Sequence, residues 1–157
     1  MSVSLAFYDP KYKEYFETYD LPHHQLQYTS LPLHTVYTCR ELPNRFPVVI
    51  LFENKAVGFL LLNGWERVRE YSDNQEALLL TSYSVNARYQ GKGIAKQSLK
   101  LLPLFINQHF PEKRELILAV NHRNKAAQIV YEKAGFVDKG IRLEGPKGEL
   151  FVYHMNL

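Results

Sequence analysis

The chain has 157 residues, of which 46 % are hydrophobic and 22 % charged, and its 19 Lys and Arg against 16 Asp and Glu leave a formal net charge of +3. A chain of this length buries roughly 68–70 % of its unfolded surface in one core, and the composition is that of an ordinary globular protein rather than a disordered one. The small cationic excess is spread without an arm or a run, which excludes a nucleic-acid-binding stripe and leaves anionic small ligands open.

In chain order, 3–8 (VSLAFY) reads as a strand closed by Asp9-Pro10. Asp9 as cap and Pro10 at the first helical position predict a helix over roughly 11–19. Four prolines cut 20–47 into short pieces, with a second helix expected around 33–42. VVILF (48–52), the turn ENKA and VGFLLL (57–62) predict a β-hairpin, and 63–75 is polar and turn-like. EALLLTSYSVN (76–86) is a long strand, and a helix follows from Gly93 to about Gln108 on the spacing of Ile94, Leu101, Leu102, Phe105 and Ile106. ELILAVN (115–121) is a further strand. Asn124 opens a helix ending near Ala134 with Gly135 as its left-handed cap, and two last strands are joined by Gly145-Pro146-Lys147-Gly148.

Between the long strand and its helix lies SVNARYQGKGIAKQS (84–98), with Gly91 and Gly93 on either side of Lys92. A turn entering a helix presents unpartnered amides at the positive end of the helix dipole, an arrangement that binds phosphate. Glycines admit unusual backbone angles and a close approach. A plain glycine turn has the same spacing. The P-loop pattern and the G-x-G-x-x-G dinucleotide fingerprint are both absent, since Lys96 stands where the third glycine belongs.

RYQGKG (Arg88–Gly93) resembles the Q/R-x-x-G-x-G/A signature of the GNAT superfamily of N-acetyltransferases, and NHRNKAAQIVYEKAGF (121–136) is similar to that family's later motif. The resemblance covers about 48–157. It implies an α/β fold: one domain over 1–157 with a mixed, twisted β-sheet flanked by helices and splayed central strands. Acceptor-side elements would occupy roughly 1–47 and an acetyl-CoA-binding core roughly 48–157. It implies acetyl-CoA as co-substrate, held along its arm by backbone groups of Tyr83, Ser84 and Val85 and at its pyrophosphate by the amides of Gln90, Gly91, Lys92, Gly93, Ile94 and Ala95. Arg88 would support the loop or touch phosphate, Asn124 would bond the pantetheine arm, and Tyr131 would lie beside the sulfur as general acid. A backbone N–H near Val85 would face the carbonyl oxygen.

Asn124 and Tyr131 stand seven residues apart, two helical turns, and so share one helix face. A phenol there can give a departing thiolate a proton or a hydrogen bond; a cap and a core tyrosine would occupy the same positions. Many family members carry a carboxylate on the strand before the glycine turn, whereas 77–87 has none and Glu76 lies at the strand start. Strand alternation puts Thr81, Tyr83 and Val85 on one face, with Ser82 and Ser84 on the other. Water near Ser82 or Tyr83, or His122, are candidates for the base, which stays unassigned.

His23-His24 lacks the further ligands of a metal site, so no metal is expected. With Tyr19, Tyr28 and Trp65 the pair instead suits an acceptor pocket, and the acidic stretch 66–76 is either a rim for cations or a solvated loop. Cys39, the single cysteine, excludes an internal disulfide and reads as a small buried hydrophobe. No basic leader with a long apolar run opens the chain and no stretch approaches membrane-spanning length, so a cytoplasmic monomer or homodimer with neither membrane nor nucleic-acid partner is expected. The activity implied is acetyl transfer to a small primary amine, such as a polyamine, an amino-acid-like molecule or an antibiotic amine. The alternative is a non-catalytic acyl-CoA-binding sensor or interaction module.

Overall fold

The computed structural model describes residues 2–157. Seven strands form one sheet: β1 (Val3–Phe7), β2 (Arg45–Phe52), β3 (Lys55–Asn63), β4 (Ala77–Val85), β5 (Glu115–Asn121), β6 (Val137–Gly145) and β7 (Gly148–Asn156), in the spatial order β1-β2-β3-β4-β5-β7-β6. Every neighbouring pair is antiparallel except β4 and β5. The helices are α1 (Lys13–Glu17), α2 (His23–Leu26), α3 (Pro32–Cys39), α4 (Trp65–Val68), α5 (Ile94–His109) and α6 (Lys125–Lys133). No helix among the described residues is long and apolar enough to cross a membrane.

Strand alternation sorts the core into two layers. Leu60 and Leu62 of β3 and Leu78 and Leu80 of β4 pack with Leu99, Leu102, Phe105 and Ile106 of α5, and Ala127 and Tyr131 of α6 join them. Phe59 and Leu61 face the opposite way, onto Phe16 of α1 and Cys39 of α3. Val68 of α4 covers Ala77, Leu79 and Ile117 on that side. From Ala56 onward β3 is buried on both faces, which accounts for its unbroken apolar run. Each fully buried leucine contributes about 1.5–3 kcal/mol.

The predicted elements stand, with the short α2 added in the segment cut by prolines and three further differences. Asp9 does cap the first turn, its carboxylate accepting the Lys11 amide at 2.9 Å, but the helix behind it is a 3-10 turn (Pro10–Tyr12) running into the short α1. The β2–β3 turn is two residues rather than four: Glu53 and Asn54 both take positive φ, 51° and 69°, as a tight hairpin demands. The polar stretch after β3 contains α4, whose apolar contacts come from Trp65 and Val68 alone. Cys39 is buried, and desolvation pushes its thiol above the usual range.

Candidate active site

The cleft begins at a defect in β4. Phe59 pairs with Ser84 and Leu61 with Thr81, so Ser82 and Tyr83 together oppose the single residue Leu60. This is a β-bulge, with Ser82 in the left-handed region at φ 57°. A bulge bends its strand, and β4 leaves β5 at this point: their parallel pairs are Ala77 with Glu115, Leu78 with Leu116 and Leu79 with Ile117, and no more. Beyond Leu79 the two strands diverge into an opening of about 740 Å³. Its walls expose strand edges whose N–H and C=O groups have no neighbouring strand.

The bulge also corrects the alternation read from the sequence. Thr81 and Tyr83 fall on opposite faces, because the extra residue shifts the phase by one. Thr81 Oγ1 accepts from Asn63 at 2.9 Å, while Tyr83 and Val85 join the layer under α5. Ser84 faces the other layer, its hydroxyl 2.8 Å from that of Tyr19. The phenol of Tyr83 is therefore committed, 2.5 Å from Ser98 Oγ and donating to the Ala95 carbonyl at 3.1 Å. Strand β4 is thereby tied to the first turn of α5.

After β4 a 3-10 turn (Ala87–Tyr89) leads to the glycine loop. Gly91 and Gly93 take φ 78° and 81°, angles that cost a side-chain-bearing residue about 1–2 kcal/mol. Gly93 caps α5 without any side-chain bond, and the amides of Gly91 through Lys96 donate to nothing among the described residues. The Gln90 amide does have a partner, the Ala87 carbonyl at 3.4 Å. Its side chain reaches back to the Val85 carbonyl at 2.8 Å and across to Gln25 at 3.1 Å. The free amides are thus displaced one residue from the expected 90–95. Tyr83, Ser84, Val85, Gln90, Gly91, Gly93, Ile94 and Ala95 line the cleft, whereas Arg88 and Lys92 are exposed and stand outside its lining.

On the far wall, Asn124 caps α6 through Oδ1, which accepts the Ala127 amide at 3.2 Å, and its Nδ2 is left free. Buried Gln128 holds the helix start by donating to the carbonyls of Asn121 and His122, both at 3.1 Å. Tyr131 follows on the same face as Asn124, with its ring 6.1 Å from that of Tyr83 and 5.7 Å from that of Phe136. Its hydroxyl bonds to no protein group, and burial pushes the phenol well above its ordinary value, so the proton stays on at neutral pH.

The expected acceptor-side residues divide. His24 and Tyr28 line the cleft, Tyr19 is buried beneath it, and Trp65 packs under β4 and β5. His23, His122 and Glu76 do not line it. Glu66, Glu70 and Asp73 of the acidic stretch also stand outside the lining, with Glu66 bonded to Asn44 and Glu70 to Arg67. Sequence reading missed Tyr71, Thr29 and Lys147, which reach the cleft only because distant loops converge on it. The segment 23–30 crosses between the lips: Gln25 bonds Gln90 on one side, and the Lys147 ammonium bonds the Gln27 carbonyl on the other. Among the described residues, no three His, Cys, Asp or Glu side chains converge as a metal would require.

The family model of the acetyltransferase (GNAT) family matches residues 7–136. The uncharacterized N-acetyltransferase YbbJ of Bacillus subtilis (strain 168) is 42 % identical over 153 residues, 97 % of this chain and 96 % of the relative. The spermine/spermidine N(1)-acetyltransferase of the same organism is 30 % identical over 94 residues, 60 % of either chain. Among solved structures, AAC(6')-Ib with paromomycin and acetyl-CoA superposes with a TM-score of 0.75 at 19 % identity, over 99 % of this chain and 94 % of that one. The Vibrio cholerae spermidine N-acetyltransferase with CoA and spermine gives 0.70 at 15 % identity, over 98 % and 95 %. The splayed β4 and β5, the free amides ahead of α5 and these matches lead to one conclusion: the chain belongs to the GNAT family of N-acetyltransferases.

Proposed function

We propose that the protein transfers an acetyl group from acetyl-CoA directly to the primary amine of a small molecule. The observation that carries this reading is the row of unpartnered amides from Gly91 to Lys96 at one end of a cleft whose far wall presents the unbonded Tyr131 hydroxyl. Amides at a helix start suit a pyrophosphate, and the open edges of β4 and β5 suit the amide groups of a pantetheine arm. Asn124 Nδ2 is the nearby side-chain donor for that arm. Solved relatives hold CoA or acetyl-CoA, which supports the same co-substrate here.

In the transfer, the amine nitrogen bonds to the acetyl carbon, the carbon–sulfur bond breaks, and the nitrogen loses a proton while the sulfur gains one. Tyr131 is assigned to the sulfur as hydrogen-bond donor and acid, the state that its burial maintains. A backbone N–H near Val85 is assigned to the carbonyl oxygen as it gains charge. No carboxylate lines the cleft among the described residues, so the amine proton leaves through solvent or through His24, the imidazole on the wall. Elements within 1–47 and the β6–β7 turn form the acceptor side.

The test is thiol release from acetyl-CoA with a panel of amines, in the native chain and in Tyr131→Phe. Amine-dependent release that falls in the variant supports the reading. Saturable CoA binding without release from any amine would replace it with a non-catalytic acyl-CoA-binding module.

A further inference from the structure

The walls of the cleft are nearly free of negative charge. No Asp or Glu is among the described residues that line it, and its basic side chains are Lys147 and His24. A smaller hollow of about 390 Å³ adjoins it, lined by Gln27, Tyr28, Arg123, Lys147 and Gly148, so that Gln27, Tyr28 and Lys147 border both. Neither Arg123 nor Lys147 has a carboxylate within 4.0 Å among the described residues. The Lys147 ammonium is held only by the Gln27 carbonyl, and the buried Thr29 Oγ1 on the adjoining wall has no partner at all.

A polycationic acceptor meets no compensating charge on such walls, and an ammonium beside Lys147 is repelled. An acceptor carrying a carboxylate finds two unpaired cations, one of them a planar fork suited to bidentate binding of that group. We propose that the acceptor is a small amine that also bears a carboxylate, an amino-acid-like molecule, with that carboxylate bound by Arg123 and Lys147. The inference rests on the acetyl-transfer reading and narrows its substrate.

The test compares thiol release by the full chain from α-amino acids and from their carboxamides, with spermidine as a polycation. The free acids should exceed the carboxamides by roughly tenfold or more in kcat/KM, the scale of a charge-assisted bond. Lys147→Gln and Arg123→Gln should each remove that difference by raising KM for the amine, with KM for acetyl-CoA unchanged, and Lys147→Arg should retain it. Equal turnover of acid and carboxamide, or of spermidine alone, would overturn the proposal and leave acetyl transfer standing. A rise confined to KM for acetyl-CoA in the two Gln variants would assign both cations to a phosphate of CoA and also overturn it. Release from no amine at all, while CoA still raises the melting temperature, would remove the acetyl-transfer reading and this inference together.

Discussion

The ring of Tyr83 stands edge-on to the ring of Tyr131, with centroids 6.1 Å apart and planes at 65°, yet only Tyr83 has its hydroxyl engaged. Two phenols in contact are thus separated in role by their hydrogen bonds. Tyr83 fastens β4 to α5, and Tyr131 presents a free donor to the cleft. Tyr131→Phe should lower kcat by about 10²-fold, the lower end for a lost acid, with little change in KM for acetyl-CoA. Tyr83→Phe should keep most of kcat and cost about 1 kcal/mol of stability. Steady-state kinetics beside urea melts separate the two, and the reverse pattern would exchange the roles.

Gly91 and Gly93 should tolerate alanine poorly for conformational reasons. A methyl group at Gly91 would meet nothing within 4 Å, so space is not the obstacle, but φ 78° is. Each Gly→Ala change should cost about 1 kcal/mol or more in stability and raise KM for acetyl-CoA, because the loop relaxes away from the arrangement that aims its amides. A melting curve and a KM measurement check both parts. An unchanged KM would remove the loop from CoA binding.

Tyr19 and Ser84 couple the turn after α1 to the bulged strand through one buried bond of 2.8 Å. Burial raises the Tyr19 phenol well above its ordinary value, outweighing the bond from Ser84, so it remains a neutral partner. Tyr19→Phe and Ser84→Ala should each cost about 1–2 kcal/mol, with the double variant costing less than their sum. A double-mutant cycle in denaturant measures that coupling. Additive losses would mean that the bond contributes nothing.

Glu115 should make the fold sensitive to acid. Partial burial raises its pKa, but hydrogen bonds from Asn74 and His154 and the charge of Lys139 outweigh this and hold the carboxyl below its usual range. A folded-state pKa below the unfolded value of about 4.3 means that the folded form binds fewer protons in that window. The stabilisation is therefore complete above that value and is lost as pH falls through the folded pKa. Unfolding free energies measured from neutral pH down to about 3 should decline less steeply in Glu115→Gln than in the native chain.

The strands, the two long helices and the glycine loop were legible in the sequence because their causes are local. Alternation and unbroken apolar runs set β3, β4 and β5, the 3.6-residue spacing set α5, and the left-handed angles at 91 and 93 favour glycine for a reason internal to the residue. The two motifs were legible as a resemblance. α4 was not, because two apolar residues in a polar stretch make no period.

The bulge at Ser82 was equally hidden. Nothing in TSYS marks an extra residue, since a bulge is a relation between two strands and exists only once β3 and β4 are paired. That single residue decides where β4 leaves β5, which face Thr81 takes and which phenol is committed. Lys147 and Arg123 are likewise an ordinary turn lysine and loop arginine in the sequence, and only the fold sets them on one hollow with Gln27 and Tyr28. Local conformational preferences determined the parts and the phosphate-type loop. Pairing register and long-range loop closure decided the shape of the cleft and the charge on its walls, because both depend on residues that are far apart along the chain.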